Sequence, residues 1–445
     1  MRILVAALAC APVGSSEEFL GWQAILAISQ NHDVWVVTAE RNRASIEHAK
    51  ALGTVTKVHF RYIEGYRRWV RNATLFRLQA WLEYISWSRR LLSFARDLHT
   101  QVHFDLAHHV TYSAWRVPSP LWRLDIPLVW GPIGGAGNMP IKFFYSMSLS
   151  GMFFETLRKI AQFAAYLPGP RRCAREAACV LASNSETAAL LQKMRRSSEA
   201  LTTMWPTYFS DVQIRKFVRA KPLRSEAEPL RIFAGGTALG SKGVALALRG
   251  LRRVADRRVS FIYTVACEGP ECAYLRELRD ALDLNASVRF VSKYAAGAYF
   301  QELQRSDCYL MPSFRENLGL TLIEAMMAGA VPIVADISAP GEIVTAQCGI
   351  KVPVTSPAEM ISAIANAVEG LARNPRRAYE LGMRASARAR EVMSASVYQQ
   401  GIEMAYRLAL GGQPFYRLTK TRFGTEAGQR SPLRERGSIR ETLAA

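Results

Sequence analysis

The 445-residue sequence lacks several features that would assign a function at once. Its seven cysteines contain no Cys-x-x-Cys pair, which disfavours a disulfide framework or a zinc site and predicts reduced, mostly buried thiols. All seven histidines lie between residues 32 and 109, which excludes a histidine metal site spanning both halves of the chain. Asp-x-Asp, Gly-x-Ser-x-Gly and His-Glu-x-x-His motifs are missing, so neither a metal nor another cofactor is indicated.

Long apolar runs are also missing. The nearest candidate for a membrane span, residues 143–167, carries Glu155, Arg158 and Lys159, whereas a span needs about 18 uninterrupted apolar residues. The opening MRILVAALACAPVG has too short an apolar run for a signal peptide and predicts a first buried strand. We therefore expect a protein that is soluble or lies on a membrane.

The formal charge of +20 predicts an anionic partner: nucleic acid, a phosphorylated small molecule or an acidic membrane face. Basic and aromatic residues interleave at 66–96, which suits an interfacial amphipathic helix against anionic lipid. A core helix with a solvated basic face and an RNA surface are the alternatives, although no RNA-binding signature accompanies the segment. The residues concerned are Trp69, Trp81, Trp87, Arg67, Arg68, Arg71, Arg89 and Arg90.

Short β-rich runs alternate with longer helical patterns through both halves of the chain, which predicts two doubly wound α/β domains facing each other across a cleft. Strands are predicted at RILVAALA, HDVWVVTA, KVHFRYI, FDLAHHVT, IPLVWG, CVLASN, RIFAGG, VSFIYTVACEG, SVRFVS, CYLMPS and VPIVAD. The expected organisation is an N-terminal domain (1–218), a linker (219–230), a C-terminal domain (231–388), a helix (389–411) packing back on the first domain, and a disordered basic tail (412–445).

Residues 235–243, GGTALGSKG, follow a predicted strand and open a helix. The glycines permit close backbone approach and Lys242 supplies a cation, so a diphosphate is the natural occupant. The stretch matches neither the P-loop nor Gly-x-Gly-x-x-Gly, which weakens the NTPase and dehydrogenase interpretations. A flexible turn with a solvated lysine is the plain alternative.

Glu316 and Glu324 stand in MPSFRENLGLTLIEAMMAGA, at a predicted junction between strand and helix. A continuous helix would separate them by about 12 Å along its axis. A glycosidase pair needs roughly 5 to 10 Å, so two contacts to the ends of one elongated ligand fit better. Amides at the start of the helix could then face a diphosphate. The alternative is a helix cap and a solvent-facing carboxylate.

Three further positions are weaker candidates on the residues alone. His109 ends the strand in FDLAHHVTYS, Gly14 lies in the turn APVGSSEE, and Gly134 and Gly135 form a loop in IPLVWGPIGGAG. A histidine at a strand end and a glycine in a turn are more often structural than functional.

These motifs together resemble the retaining glycosyltransferases of family GT4, which have the GT-B fold. The resemblance rests on the E-x7-E block with Glu316 and Glu324 and on the glycine turn with Lys242, and it covers roughly residues 1–410. HHVTY, WGPIGGAG, SAPGEIV and GIKVPV support it.

The resemblance implies a nucleotide-sugar donor in the C-terminal domain, with Glu324 on the ribose, Lys242 on the diphosphate and Glu316 at the sugar. It implies catalytic roles for Glu316, Lys242 and His109. The implied donor contacts are Gly14, Gly236, Thr237, Lys242, Glu316, Asn317, Leu318, Gly319 and Glu324, and the acceptor-side candidates are His109, Gly134 and Gly135. Thr237 stands where the family often has arginine, which puts one phosphate contact in doubt.

The implied reaction is a hexosyl transfer with retention and no protein nucleophile, in which Lys242 and helix amides stabilise the leaving phosphate. We expect a glycan or lipid-linked acceptor and surface-polysaccharide synthesis. The basic aromatic helices predicted at 66–96 and 143–167 indicate a cytoplasmic protein that can contact the inner face of an anionic membrane. A nucleotide-sugar epimerase of the same fold and a basic nucleic-acid-binding protein are the alternatives; nucleic acid is not the expected partner.

Overall fold

The computed structural model describes residues 1–53, 55, 57–65, 73–112, 114–163, 167–195, 200–218, 221–292, 294 and 297–411, with the backbone alone at 73–78, 80 and 81. The predicted disordered tail from residue 412 lies outside the described residues.

Strands and helices alternate along the described chain. The strands are β1 (Arg2–Ala6), β2 (Asp33–Ala39), β3 (Val58–Ile63), β4 (Leu106–His109), β5 (Leu128–Ile133), β6 (Cys179–Ala182), β7 (Leu201–Thr203), β8 (Leu230–Ala234), β9 (Phe261–Ala266), β10 (Val288–Val291), β11 (Cys308–Met311), β12 (Val331–Ala335) and β13 (Ile350–Val352). The helices are α1 (Ser16–Ile28), α2 (Arg43–Ala51), α3 (Ala73–Val102), α4 (Leu149–Gln162), α5 (Pro168–Glu176), α6 (Ser185–Gln192), α7 (Asp211–Phe217), α8 (Val244–Asp256), α9 (Cys272–Ala281), α10 (Ala298–Arg305), α11 (Leu320–Met327), α12 (Ser338–Ile343), α13 (Pro357–Ala372), α14 (Pro375–Val392) and α15 (Ala395–Ala409).

The strands form two parallel sheets, one in each half of the chain. The first has seven strands in the order β3-β2-β1-β4-β5-β6-β7, and the second has six in the order β10-β9-β8-β11-β12-β13. Side chains on the two faces of the first sheet belong to separate apolar clusters, as expected when helices cover both faces. The prediction of two doubly wound α/β domains is confirmed.

Each sheet reverses its strand order at one point, between β1 and β4 in the first and between β8 and β11 in the second. Ligands of doubly wound sheets bind outside the carboxyl ends of the strands at such points. The turn with Gly14 comes after β1, and His109 ends β4. The glycine turn at 235–243, which we call the lysine turn after Lys242, follows β8. The segment with Glu316 and Glu324 follows β11, so both motifs lie at the second reversal.

Two of the strands were not predicted from the sequence. β7 (LTT) and β13 (IKV) each have three residues and pair at a sheet edge, with few buried positions. Runs this short carry too little alternation to predict a strand.

Packing joins the two halves of the chain in two places. In the last helix, Tyr398, Ile402 and Tyr406 are buried in a core of the first half, and the Tyr406 hydroxyl lies 2.9 Å from Nδ1 of His108. Conversely, Met139, Phe143, Phe144 and Met147, which precede α4, belong to the core of the second half. The Phe143 ring packs 4.6 Å from that of Phe314, measured between centroids.

Two expectations need correction. Cys267 and Cys272 form a disulfide, so the prediction that all cysteines are reduced is wrong for this pair. The end of β9 and the start of α9 lie close together, and the Cα atoms of the two cysteines are 6.0 Å apart. Cys10, Cys173, Cys179, Cys308 and Cys348 are free and buried, as expected. In α3, Trp87 is fully buried, which favours the core-helix interpretation there, whereas Trp69, Arg67, Arg68 and Arg71 lie outside the described residues.

Candidate functional site

The two loops at the reversal of the second sheet touch each other directly. The backbone N–H of Phe314, after β11, donates to the carbonyl oxygen of Ser241, after β8, at 2.9 Å. Gly243 begins α8 with φ +70°, and a Cβ atom there would overlap the carbonyl oxygen of Pro312. Glycine is therefore required where the lysine turn crosses the second loop.

This crossing brings Lys242 onto Glu316. Lys242 is the last residue of the short 3₁₀ turn Gly240–Lys242, and its ammonium donates to the Glu316 carboxylate. Their side chains are 22% and 11% exposed, so the pair opens to solvent on one side only. A cation next to a carboxylate at a sheet reversal can bind a phosphate and a hydroxyl of one ligand.

Glu324 lies in α11, after the loop that carries Glu316. The two glutamates do not share a helix, because α11 begins only at Leu320, so the helical estimate of their separation does not apply. The Tyr299 hydroxyl donates to Glu324 at 2.6 Å. Burial raises the pKa of Glu324 to about 7, against the smaller lowering effect of that hydrogen bond.

The N-terminus of α11 has no side-chain cap. Gly319 occupies the N-cap position with φ +84°, and Leu318 before it is buried. The first backbone N–H groups of the helix therefore have no capping side chain.

The Gly134–Gly135 loop of the first half faces this site across the cleft. The N–H of Gly135 donates to Oδ1 of Asn317 at 2.9 Å, and a Cβ atom on Gly134 would overlap the Asn317 amide. The fold thus brings together Gly134, Gly135 and Asn317, three residues that the sequence analysis singled out.

Ser338, at the start of α12, holds the Glu316 backbone and was not predicted. Its hydroxyl accepts from the Glu316 N–H at 3.1 Å and lies 2.8 Å from the Glu316 carbonyl oxygen, to which it can donate. From the first half, the Asn184 amide donates to the same carbonyl at 3.2 Å. SAPGEIV is a motif in the sequence, but nothing in it identifies Ser338 as the contact to Glu316.

A buried ion pair fixes the residue next to Glu316. The guanidinium of Arg315 donates to both carboxylate oxygens of Glu155 in α4, at 2.7 and 2.9 Å. A separation of 160 residues gives no sequence signal for this contact.

His109 ends β4, at the reversal of the first sheet, and its ring is buried. It is 2% exposed, its Nδ1 lies 2.8 Å from the Ser119 hydroxyl, and it packs against Tyr84 and Trp87. Burial lowers its pKa to about 3, so the ring is neutral, and Nε2 has no hydrogen-bond partner among the described residues. Among the described residues, no hydrogen bond or ion pair joins His109 to Lys242 or Glu316.

Gly14 is exposed, and so are Gly236 and Thr237 in the turn after β8. Gly14 precedes the capping box formed by Ser15 and Glu18 at the start of α1. Gly236 has φ +121°, and a Cβ atom there would meet only the Lys242 ammonium, at 4.0 Å. Thr237 forms a backbone bridge with Glu268 and places no charge in the turn. Space for a ligand therefore lies directly over Gly236.

The described residues contain neither a candidate metal centre nor a candidate membrane span. No group of three or more histidine, cysteine, aspartate or glutamate side chains is arranged to hold a metal ion there. None of the helices in that part of the chain is long and apolar enough to span a bilayer.

Residues 215–388 match the model of the family described as Glycosyl transferases group 1. This match contains both loops of the site. No curated protein sequence matches the chain significantly.

Solved structures share the fold at low sequence identity. HepE of Anabaena, in complex with UDP and glucose, is 15% identical with a TM-score of 0.56, covering 91% of this chain and 98% of its own. Sucrose-phosphate synthase of Thermosynechococcus elongatus is 15% identical with a TM-score of 0.61, covering 92% and 99%. The lipopolysaccharide outer core galactosyltransferase WaaB, in its apo form, is 13% identical with a TM-score of 0.57, covering 91% and 99%. The architecture is GT-B.

Proposed function

We propose that this protein is a retaining glycosyltransferase of the GT4 type, which moves a hexosyl group from a nucleotide-sugar donor to a glycan or lipid-linked acceptor. The observation that carries the proposal is the contact between the Lys242 ammonium and the Glu316 carboxylate at the reversal of the second sheet. The match of residues 215–388 to group 1 glycosyltransferases supports it.

In this proposal the second half of the chain binds the donor. Lys242 and the amides at the start of α11 take the diphosphate and stabilise the charge that develops on it as the glycosidic bond breaks. Glu316 and the Asn317–Gly319 backbone lie at the sugar, and Glu324 accepts from the ribose hydroxyls in place of Tyr299. No metal is required, because lysine and helix amides supply the positive charge.

A uridine nucleotide is the first donor to test. The Anabaena protein HepE has been crystallised with UDP-glucose and with UDP, and it shares the fold of this chain. Identity of 15% does not extend that specificity to this chain, so the base and the sugar are matters for experiment.

The first half is proposed to present the acceptor to the Gly134–Gly135 loop, which already contacts Asn317. The acceptor role of His109 stays a prediction. In its favour, Nε2 has no partner among the described residues, whereas a buried ring nitrogen normally has one. The near-complete burial of the ring is against it.

The test has two steps. A thermal-shift screen of nucleotide sugars identifies the donor, since a ligand that binds the folded state raises its stability. Transfer of labelled sugar to glycan and lipid extracts is then measured for the wild type, Lys242→Ala and Glu316→Ala. We expect both variants to lose transfer, and unchanged turnover by both would rule the proposal out.

The alternatives give different results in the same assays. An epimerase would convert the donor sugar without any acceptor. A nucleic-acid-binding protein would bind nucleic acid without a nucleotide sugar, and its affinity would fall steeply with salt.

A further inference from the structure

Helix α4 has the reverse polarity of an ordinary surface helix. Two of its charged residues face the protein: Glu155 is buried against Arg315, and Arg158 donates to the carbonyl oxygen of Gly135 at 3.0 Å. A surface helix normally buries its apolar side and exposes its polar one. Here the polar side is used to hold the loops next to Glu316.

The large apolar residues of α4 face solvent instead. Leu149, Phe153, Leu157 and Ile160 are 85%, 61%, 46% and 58% exposed, and Phe163 at the C-cap is 69% exposed. Successive helical residues are about 100° apart, so these five side chains fall within roughly 120° of the circumference. Ile141 and Tyr145, in the 3₁₀ segment before α4, extend the surface. We call these seven residues the α4 patch.

The charges nearest to the α4 patch in sequence are mostly basic, and the buried acid Glu271 contacts Ser148 at the start of α4. Between residues 139 and 175 the sequence has six basic residues and one acid. The acid is Glu155, which is already neutralised inside the fold, whereas Lys142, Arg172 and Arg175 are exposed residues. Aromatic and aliphatic side chains bordered by cations are typical of helices that lie in the interface of an anionic bilayer.

We propose that the α4 patch docks on an anionic phospholipid bilayer, with its apolar side chains in the headgroup region and the surrounding cations on lipid phosphates. The opposite side of α4 contacts Arg315 and the Gly135 loop, so docking would place the cleft next to the lipid surface. The inference does not depend on the proposed transfer, because the surface is apolar and basic whatever the cleft catalyses.

The test is flotation of the full chain with lipid vesicles. Vesicles of phosphatidylcholine alone are compared with vesicles of equal parts phosphatidylcholine and phosphatidylglycerol, at low and high salt. The variant Leu149→Ser/Phe153→Ser/Leu157→Ser/Ile160→Ser removes four apolar side chains without changing the charge. A matched control, Tyr379→Ser/Met383→Ser, removes two exposed apolar residues of α14, far along the chain.

We expect the wild type and the control to float with the anionic vesicles and the quadruple variant to lose roughly tenfold or more of its bound fraction, because apolar area drives insertion. Circular dichroism melting should show that all three proteins fold equally well. The basic residues from 412 onward are present in every protein, so binding through them alone would leave the quadruple variant floating and would overturn the proposal.

A probe at a single position gives a second reading. An environment-sensitive fluorophore on Phe153→Cys should shift its emission to the blue with anionic vesicles, whereas the same label on Met383→Cys should not. An unshifted Phe153→Cys probe on bound protein would overturn the proposal. A wild-type dimer that becomes monomeric in the quadruple variant, with no vesicle binding by either, would overturn it in favour of a second copy as the occupant.

Discussion

Replacing Lys242 with alanine should weaken binding of a nucleoside diphosphate in a predictable way. A lysine ammonium about 4 Å from a phosphate charge interacts by roughly 4 kcal/mol at the effective dielectric of a protein surface. The Lys242 side chain is 22% exposed, so screening reduces this to about 2 to 3 kcal/mol. Each 1.4 kcal/mol is a factor of ten, and the dissociation constant for UDP should therefore rise roughly 30- to 150-fold.

The contact with Glu316 makes the prediction sharper. In Lys242→Ala the Glu316 carboxylate, 11% exposed, loses its cation and faces the incoming diphosphate with its own negative charge. The double variant Lys242→Ala/Glu316→Gln should therefore bind UDP several-fold more tightly than Lys242→Ala, because the second substitution removes that repulsion. The two substitutions are therefore expected to be non-additive, as for other residues in direct contact.

Isothermal titration of UDP into the wild type, both single variants and the double variant measures this cycle. Lys50→Ala is the control, since Lys50 also pairs with a glutamate, Glu47, but on the exposed surface of α2. A change of less than twofold in Lys242→Ala, or a further loss of affinity in the double variant, would refute the reasoning.

Three further predictions follow from the site. Burial raises the pKa of Glu324 to about 7, so this carboxyl is protonated below that pH. Between pH 6 and pH 8 the affinity of the wild type for UDP should therefore rise by up to about tenfold more than that of Glu324→Gln. Titration of UDP into both proteins at the two pH values measures this difference. Gly243→Ala should lower the free energy of unfolding in urea by more than about 2 kcal/mol, because its Cβ atom would overlap the Pro312 carbonyl. The control Gly370→Ala lies in α13 with open space around it and should be neutral or stabilising. Gly134→Ala should abolish transfer while leaving UDP affinity within about threefold, because its Cβ atom would displace Asn317 from the opposite loop without touching Lys242; equal losses in both assays would contradict this.

The architecture could be predicted from the sequence because buried parallel strands are short, almost wholly apolar runs. β5, β6, β11 and β12 are buried at every position, and each coincides with a run singled out in the sequence. β7 and β13 were missed because three residues at a sheet edge carry no such signal. The disulfide was missed for a related reason, since the Cys267 to Cys272 spacing has meaning only once β9 is known to end just before Cys267 and α9 to begin at Cys272.

The site was predictable where its residues are close in sequence or lie in glycine turns. Lys242 and Glu316 could be placed near one ligand because each follows a strand and a turn, and the strand order then joins the two loops. Contacts between the two halves of the chain could not be predicted from the sequence. Ser338 and Asn184 reach Glu316 only through the relative position of the two sheets, which no local pattern encodes.

The segment before α4 shows why a domain boundary based on composition differs from a packing boundary. The charged, proline-containing stretch at 219–230 separates the two sheets in sequence, yet Phe143 and Met147, far upstream of it, are buried in the core of the second half. Glu155 and Arg158 continue this arrangement by holding Arg315 and the Gly135 loop. A helix that bonds both halves with its charged side chains covers little apolar core, here with Met152, so most of its large apolar side chains face outward. The same requirement that shapes the cleft therefore produces the exposed α4 patch beside it.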